Sequence, residues 1–223
     1  MIAPEVRGDL GESRNAVSAV WIAPKDPIAW LVVAHGAGAG MDHPFLAGFC
    51  RAMAGHGVAT VRFNFFYADS GRRTPDPEPG LRAAWMEASE GVRAMADGVP
   101  VLAGGKSLGG RIASMCVADG MAAAGLVFLG YPLHPPGKPE RLRVEHLERI
   151  TVPMLFLQGT RDPFAQPGQL AKVITALGER AEHVPVEGGD HSFNVRGVKA
   201  EAREVGAGLA EHAGPFVRRV VGT

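Results

Sequence analysis

The segment Gly105-Lys106-Ser107-Leu108-Gly109 decides the fold class, because it has the form G-x-S-x-G between a strand-like and a helix-like run. Residues 99–103 before it are apolar (VPVLA), and residues 111–118 after it are compatible with a helix (RIASMCVA). This strand–turn–helix context exposes a serine as a nucleophile, and the glycines allow the sharp turn. The segment therefore predicts that Ser107 attacks a carbonyl carbon and that a helix N-terminus faces the developing negative charge.

Two other interpretations of this segment are a solvated glycine-rich turn and a phosphate-binding loop. The chain has 30 glycines in 223 residues, so a chance match to G-x-S-x-G is not rare. A phosphate-binding loop of the form G-x-x-x-x-G-K-S/T would need glycine at position 100. Pro100 stands there, and proline has no backbone N–H to offer a phosphate. The phosphate loop is therefore disfavoured, while the solvated turn has to be weighed against the rest of the chain.

The composition is that of an ordinary globular protein without a charge bias. Apolar residues make up 46% of the chain, and Lys+Arg equals Asp+Glu at 23 each. No basic field for nucleic acid or anionic lipid is expected, and no apolar run is long enough to span a bilayer. The first residues lack the apolar core of a signal peptide, and Cys50 and Cys116 suit neither a disulfide framework nor a zinc site. We expect a cytoplasmic protein of one domain, residues 1–223, without nucleic-acid or membrane partners.

Strand-like and helix-like segments alternate along the chain. The predicted strands are residues 5–10, 16–22, 29–34, 58–63, 101–103, 125–129, 153–157 and 182–186. The predicted helices are residues 44–55, 81–96, 111–118, 141–149, 168–177 and, as one or more helices, 198–221. This alternation predicts an α/β fold, with a mostly parallel twisted sheet, helices on both faces and an antiparallel pair at one edge. The connection between the strands at 125–129 and 153–157 is short, which predicts no sizeable lid.

Polar motifs follow four predicted strands, at the sheet edge where ligands bind in this architecture. They are His35-Gly36-Ala37-Gly38-Ala39-Gly40, the Ser107 turn, Gln158-Gly159-Thr160-Arg161-Asp162 and Glu187-Gly188-Gly189-Asp190-His191-Ser192-Phe193. His191 is the candidate base that a serine nucleophile needs, and Asp162 the carboxylate that would orient its imidazole. A turn-capping role for Asp162 before Pro163 is the alternative. Asp190 ranks behind Asp162, because side chains adjacent in sequence rarely align for this task.

The glycine-rich turn after the third predicted strand is the candidate for half of an oxyanion hole. The backbone N–H groups of Ala37 and Leu108 are the expected donors to the tetrahedral oxyanion. The alternative is a dinucleotide site, whose G-x-G-x-x-G pattern the turn matches only at Gly36 and Gly38. Met41 takes the place of the third glycine, and no acidic residue ends the next strand. The oxyanion interpretation is therefore favoured.

Other polar residues near the strand ends have open roles. Arg72 or Arg73 lies in a long loop and either holds an anionic substrate group or is solvated. Lys106 either tunes the potential beside the nucleophile or reaches solvent. Arg111 is interpreted as a structural ion-pair partner, and His134 as a residue remote from the strand ends.

Taken together, these motifs give the chain a resemblance to the α/β-hydrolase superfamily over nearly its whole length. More narrowly, it resembles the compact, lidless, dienelactone-hydrolase-like branch. The resemblance is carried by residues 35–40 (HGAGAG), 62–65 (RFNF), 71–73 (GRR), 104–111 (GGKSLGGR), 158–163 (QGTRDP) and 189–193 (GDHSF).

The resemblance implies a Ser107–His191–Asp162 triad that cleaves a small ester-type substrate, a mechanism that needs no metal or organic cofactor. Dienelactone hydrolases have a cysteine nucleophile where this chain has Ser107, and this difference favours a serine carboxylesterase. The branch also resembles a subunit of a eukaryotic histone-acetyltransferase complex. A non-catalytic interaction protein with the same fold is therefore the alternative function.

Overall fold

The computed structural model describes residues 4–11 and 16–223. Its strands are β1 Val6–Leu10, β2 Val17–Ile22, β3 Ala29–Ala34, β4 Val58–Phe63, β5 Val101–Lys106, β6 Leu126–Leu129, β7 Met154–Gly159 and β8 Ala181–Val186. Its α-helices are α1 Pro44–Gly55, α2 Phe66–Asp69, α3 Glu78–Ala96, α4 Leu108–Ala118, α5 Pro167–Leu177 and α6 Ala202–Val221. Short 3₁₀ helices cover Glu145–Arg149 and Gly178–Arg180. The first three residues of the stretch inspected for a signal peptide lie outside the described residues.

The strands form one sheet in the order β1-β2-β4-β3-β5-β6-β7-β8. β1 pairs antiparallel with β2, and β2 with β4, while all other neighbours are parallel. This confirms the predicted α/β fold with an antiparallel pair at one edge. Because β3 lies between β4 and β5, the strand order reverses there, and a crevice opens beyond the carboxyl ends of β3 and β5.

Both faces of the sheet are covered, and the uninterrupted apolar sequence of β3 follows from this. Trp30 and Val32 belong to a core shared with α3 and α4, whereas Leu31 and Val33 belong to a core shared with α1 and α6. Successive side chains of a strand point to opposite faces, so a strand buried on both faces is apolar at every position.

Helices α1 and α6 pack against each other so closely that only glycine fits at two contact points. A Cβ atom on Gly48 would overlap the backbone carbonyl of Arg203, and one on Gly206 would overlap the carbonyl of Phe45. The two glycines therefore set the distance between the helices on this face of the sheet.

The connection from β6 to β7 differs from the sequence prediction of a helix over residues 141–149. The structure has only the 3₁₀ helix Glu145–Arg149, because the backbone N–H of Arg143 donates to the carbonyl of Leu133 at 2.8 Å rather than to a helical partner. No other helix or strand interrupts this connection, and no lid covers the sheet edge. None of the helices in the described parts of the chain is long and apolar enough to cross a membrane.

Candidate active site

Ser107 is the single residue between β5 and α4, and its backbone is strained. Its φ is +49° and its ψ is −112°, a conformation that costs a residue with a Cβ about 1–3 kcal/mol. Its side chain lines a cavity at the N-terminus of α4.

The glycines around Ser107 are required by close backbone contacts. Gly105 has a φ of +156°, and a Cβ there would lie 2.9 Å from the backbone N of Gly110. A Cβ on Gly109 would overlap the carbonyl of Ala34 and lie 2.8 Å from that of His35. The second contact brings the start of α4 against the end of β3, so the serine turn and the glycine-rich turn become neighbours.

Ser107, His191 and Asp162 lie in one hydrogen-bonded row, although 84 residues separate the first two. His191 Nδ1 lies 2.7 Å from Asp162 Oδ2, and His191 Nε2 lies 2.9 Å from Ser107 Oγ. With Nδ1–H donating to the carboxylate, Nε2 accepts from the serine hydroxyl. The Asp162 side chain is fully buried, whereas 22% of the His191 side chain is exposed toward the cavity. The row therefore joins a buried charge to an accessible hydroxyl.

The Asp162 carboxylate is held in place by two further donors. The Phe164 backbone N–H donates to Oδ1 at 2.8 Å, and Gln158 Nε2 donates to Oδ2 at 2.5 Å. The Oε1 atom of Gln158 accepts from the Tyr131 backbone N–H at 2.7 Å, so Gln158 is itself fixed to the end of β6. Buried carboxylates are stable only when hydrogen-bonded in this way.

The glycine-rich turn lines the same cavity as His191. Ala37 and Leu108, the residues expected to form the oxyanion hole, both line the cavity that contains Ser107. His35 is buried beneath the turn, where its Nδ1–H donates to the Gly36 carbonyl at 2.8 Å and its Nε2 accepts from the Phe65 N–H at 3.3 Å. Burial lowers the pKa of His35, so the neutral imidazole acts as a structural anchor of the turn.

Lys106 points into the site rather than to solvent. Its Nζ donates to the backbone carbonyl of His191 at 2.6 Å and lies 5.6 Å from the centre of the Phe193 ring. Burial lowers the pKa of Lys106 to about 8, although the charges of Asp162 and Asp190 act in the opposite direction. Lys106 thus ties the strand before the nucleophile to the loop that carries the candidate base.

The cavity in front of Ser107 has a volume of about 660 Å³, within the range of small-molecule sites. Much of its wall is apolar, as at Pro132, Pro136 and Phe164. The Phe164 ring meets the His191 ring edge-on, with 4.5 Å between the ring centres. The site is therefore an open pocket that suits a small, partly apolar molecule.

Two expectations about neighbouring residues are wrong. Arg111 has no carboxylate partner among the described residues; its Nη1 donates to Met115 Sδ at 3.1 Å, and its side chain lines the cavity. His134 also lines the cavity instead of lying far from the strand ends, and so does Arg143, which the sequence did not single out.

The long loop after β4 does not contribute to the cavity wall. Arg72 is paired with Asp76 at 2.6 Å, and neither Arg72 nor Arg73 is among the residues that line the cavity. The solvated alternative for this loop is therefore the better description. The useful sequence signal was instead in the connection after β6, where Leu133-His134-Pro135 follows shortly after the strand ends at Leu129.

Comparison with known proteins identifies the family to which the fold is similar. The family model described as "Alpha/beta hydrolase domain" matches residues 27–214. Three similar solved structures are a lidless a/b serine hydrolase from Xanthomonas campestris, the esterase domain of a Rhodothermus marinus protein and a dienelactone hydrolase from Anabaena variabilis.

In that order, the three structures are 19%, 17% and 16% identical to this chain, with TM-scores of 0.75, 0.74 and 0.75. The alignments cover 96%, 98% and 97% of this chain and 94%, 99% and 97% of the other chains. At such identities the likeness shows a shared fold over nearly the full length of each chain.

Proposed function

The chain belongs to the α/β-hydrolase domain family, and from this premise we propose that it is a serine hydrolase of the carboxylesterase type. Its substrate is a small molecule with an ester or related acyl bond, and residues 1–223 act as one domain. The observation that carries the proposal is the hydrogen-bonded row from Ser107 Oγ through His191 to Asp162, which ends in an open cavity.

In the first half of the reaction, the Ser107 oxygen attacks the carbonyl carbon of the ester while His191 Nε2 takes the hydroxyl proton. Asp162 stabilises the imidazolium that forms and fixes its orientation. The carbonyl oxygen becomes an oxyanion, which the backbone N–H groups of Ala37 and Leu108 bind. The intermediate then collapses: the ester C–O bond breaks, and His191 returns the proton to the departing alcohol.

In the second half, a water molecule takes the place of the alcohol. His191 removes a proton from the water as its oxygen attacks the acyl-enzyme carbonyl, and the same N–H groups stabilise the second oxyanion. Collapse releases the acid and returns the proton to Ser107. These steps balance without a metal ion or an organic cofactor.

A reducing compartment such as the cytoplasm fits the cysteines. Cys50 and Cys116 are both free and buried. Burial raises the pKa of each thiol to about 11, so neither is activated as a nucleophile. Ser107 is therefore the nucleophile that we assign to the site.

The test is covalent labelling with a fluorophosphonate probe, followed by hydrolysis of 4-nitrophenyl butyrate. We expect the native protein to be labelled at Ser107 and the Ser107→Ala variant to be unlabelled, with turnover reduced at least about 10³-fold. A folded native protein that neither reacts nor turns over any ester, thioester or amide would refute the proposal and favour the non-catalytic interaction protein.

The role of Asp162 has its own matched pair of variants. Asp162→Asn leaves the shape of the side chain unchanged but removes the charge that stabilises the imidazolium, and we expect kcat to fall about 10²- to 10⁴-fold. Asp190→Asn is the control, because its oxygen still accepts from the backbone N–H groups of Ser192 and Asn194. Full activity in Asp162→Asn would contradict the assignment.

A further inference from the structure

Three cationic side chains line the cavity in front of Ser107, and none of its described lining residues is acidic. The cations are Lys106, Arg111 and Arg143. Lys106 is occupied by the His191 carbonyl, but the two arginines have no carboxylate partner among the residues that the structure describes. A pocket with unpaired guanidinium groups and no acid attracts anionic ligands.

Arg111 reaches the cavity because of its position on α4. It follows Ser107 by four residues, and its backbone N–H donates to the Ser107 carbonyl at 3.0 Å. Side chains four residues apart lie on the same face of a helix, and they lean toward its N-terminus. The Arg111 side chain lines the same cavity as Ser107, and its contact with Met115 Sδ uses one N–H on a weak acceptor.

Arg143 comes from the connection between β6 and β7 and lines the same cavity. Its Nε atom is buried without a hydrogen-bond partner, and its backbone is fixed by the bond to Leu133. Burial and the charges of Arg111 and Arg141 lower the pKa of Arg143. The charges of Arg111 and Arg143 therefore interact with each other. Buried donors without acceptors are rare in native proteins, and a bound ligand supplies the acceptor that such a donor needs.

His134 adds a third polar group to this part of the cavity. It is only 3% exposed. Its Nδ1–H donates to the Pro135 carbonyl at 2.9 Å, while its buried Nε2 has no partner. The cavity therefore contains an unpaired donor at Arg143 and an unpaired acceptor at His134, which points to a ligand that is polar at this end; only the arginine donors suit a carboxylate.

We propose that Arg111 and Arg143 form an anion subsite, and that the substrate is an ester that carries a carboxylate, such as a half-ester of a dicarboxylic acid. The planar fork of a guanidinium matches a carboxylate with two parallel hydrogen bonds. The apolar wall at Pro132 and Phe164 accommodates the short carbon chain between the carboxylate and the ester. The ester part of this proposal rests on the proposed function; the anion subsite does not.

Binding is measured first, on the Ser107→Ala variant, so that no hydrolysis interferes. Isothermal titration with monomethyl glutarate should show binding at least about tenfold tighter than with the neutral dimethyl glutarate. Adding Arg143→Gln or Arg111→Gln should remove this preference, whereas Arg141→Gln should keep it. Arg141 is an exposed arginine on the same connection and controls for net charge.

Turnover is measured next, with 4-nitrophenyl hydrogen glutarate and its neutral analogue 4-nitrophenyl valerate. We expect Arg143→Gln to lower kcat/KM for the glutarate ester about 10- to 100-fold and for the valerate ester less than threefold. Arg143→Lys and Arg111→Lys keep the charge without the fork, and they replace any glutamine variant whose melting temperature shows that it is unfolded.

The outcomes separate the two proposals. Equal kcat/KM for both esters, unchanged by the arginine variants, would overturn the anion subsite while the serine hydrolase stands. Arginine-dependent binding of monomethyl glutarate by a protein that hydrolyses no ester would support the subsite and overturn the proposed function. Tighter binding of inorganic phosphate than of monomethyl glutarate would overturn the choice of carboxylate.

Discussion

Replacing Lys106 by methionine removes a buried ammonium group but keeps the length and apolar character of the side chain. The ammonium donates to the carbonyl of His191 at 2.6 Å, across 85 residues of sequence. Two opposing effects on stability follow, because the hydrogen bond is lost and the cost of burying the charge disappears with it. Their sizes can be set against each other.

A hydrogen bond to a charged group contributes about 1.5–3 kcal/mol to stability. The folded protein lowers the pKa of Lys106 from 10.5 to about 8, which means that burial of the charged form costs about 3 kcal/mol at pH 7. The two effects nearly cancel. We therefore expect the free energy of unfolding of Lys106→Met at pH 7 to lie within about 2 kcal/mol of the native value.

The pH dependence separates the two effects. Between pH 8 and 10.5 the unfolded chain still holds a proton on this lysine while the folded protein has released it, so the stability of the native protein rises with pH. This contribution amounts to about 2–3 kcal/mol between pH 7 and pH 10. Lys106→Met lacks this contribution. Relative to the native protein, its free energy of unfolding should therefore decrease by that amount as the pH rises.

The assay is urea denaturation of both proteins at pH 7 and pH 10, with Lys172→Met as the control, because Lys172 is exposed on α5. At pH 7 we also expect kcat of Lys106→Met to fall about 10- to 100-fold with little change in KM, since the loop of His191 loses its anchor. Lys106→Gln, which keeps a donor, should recover part of kcat. A stability difference that is the same at both pH values, together with an unchanged kcat, would refute the reasoning.

Two further predictions concern the backbone. Ser107→Gly should be more stable than Ser107→Ala by about 1 kcal/mol in chemical denaturation, because glycine relieves the strain at a φ of +49° and alanine does not; equal stability would contradict a strained turn. On α6, Gly206→Ala should cost about 3 kcal/mol or more, since its Cβ would overlap the Phe45 carbonyl, while Gly208→Ala, whose Cβ meets open space, should stabilise by about 0.5–1 kcal/mol. Similar melting temperatures for the two alanine variants would show that α1 and α6 separate easily.

The sheet was predictable because buried parallel strands have a distinctive sequence. The runs at 29–34 and 58–63 have the boundaries that the structure gives to β3 and β4. Ser107, Asp162 and His191 were singled out as candidates by the same route, since each follows a strand at the edge where ligands bind. Periodicity and strand ends are local signals, and these features depend on little else.

The partners of those residues were not predictable, because they depend on contacts between distant parts of the chain. Nothing in the sequence near Lys106 indicates that it binds the carbonyl of His191. The contribution of the connection after β6 to the cavity was missed for another reason: four of its prolines, at positions 132, 135, 136 and 139, leave no helical or strand period to detect in its first part. Applying the strand-end rule to β6 as well would have drawn attention to His134, although not to Arg143.

A chain of hydrogen bonds connects the proposed anion subsite to Asp162. The Arg143 N–H donates to the Leu133 carbonyl at 2.8 Å, and the Leu133 N–H donates to the Phe164 carbonyl at 2.9 Å. The Phe164 N–H in turn donates to Asp162 Oδ1 at 2.8 Å. Because these are backbone donors and acceptors along the first two steps, a change of the Arg143 side chain leaves the support of Asp162 intact. Substrate preference at Arg143 can therefore change without loss of the Asp162–His191–Ser107 row, whereas a deletion in residues 133–143 would alter both.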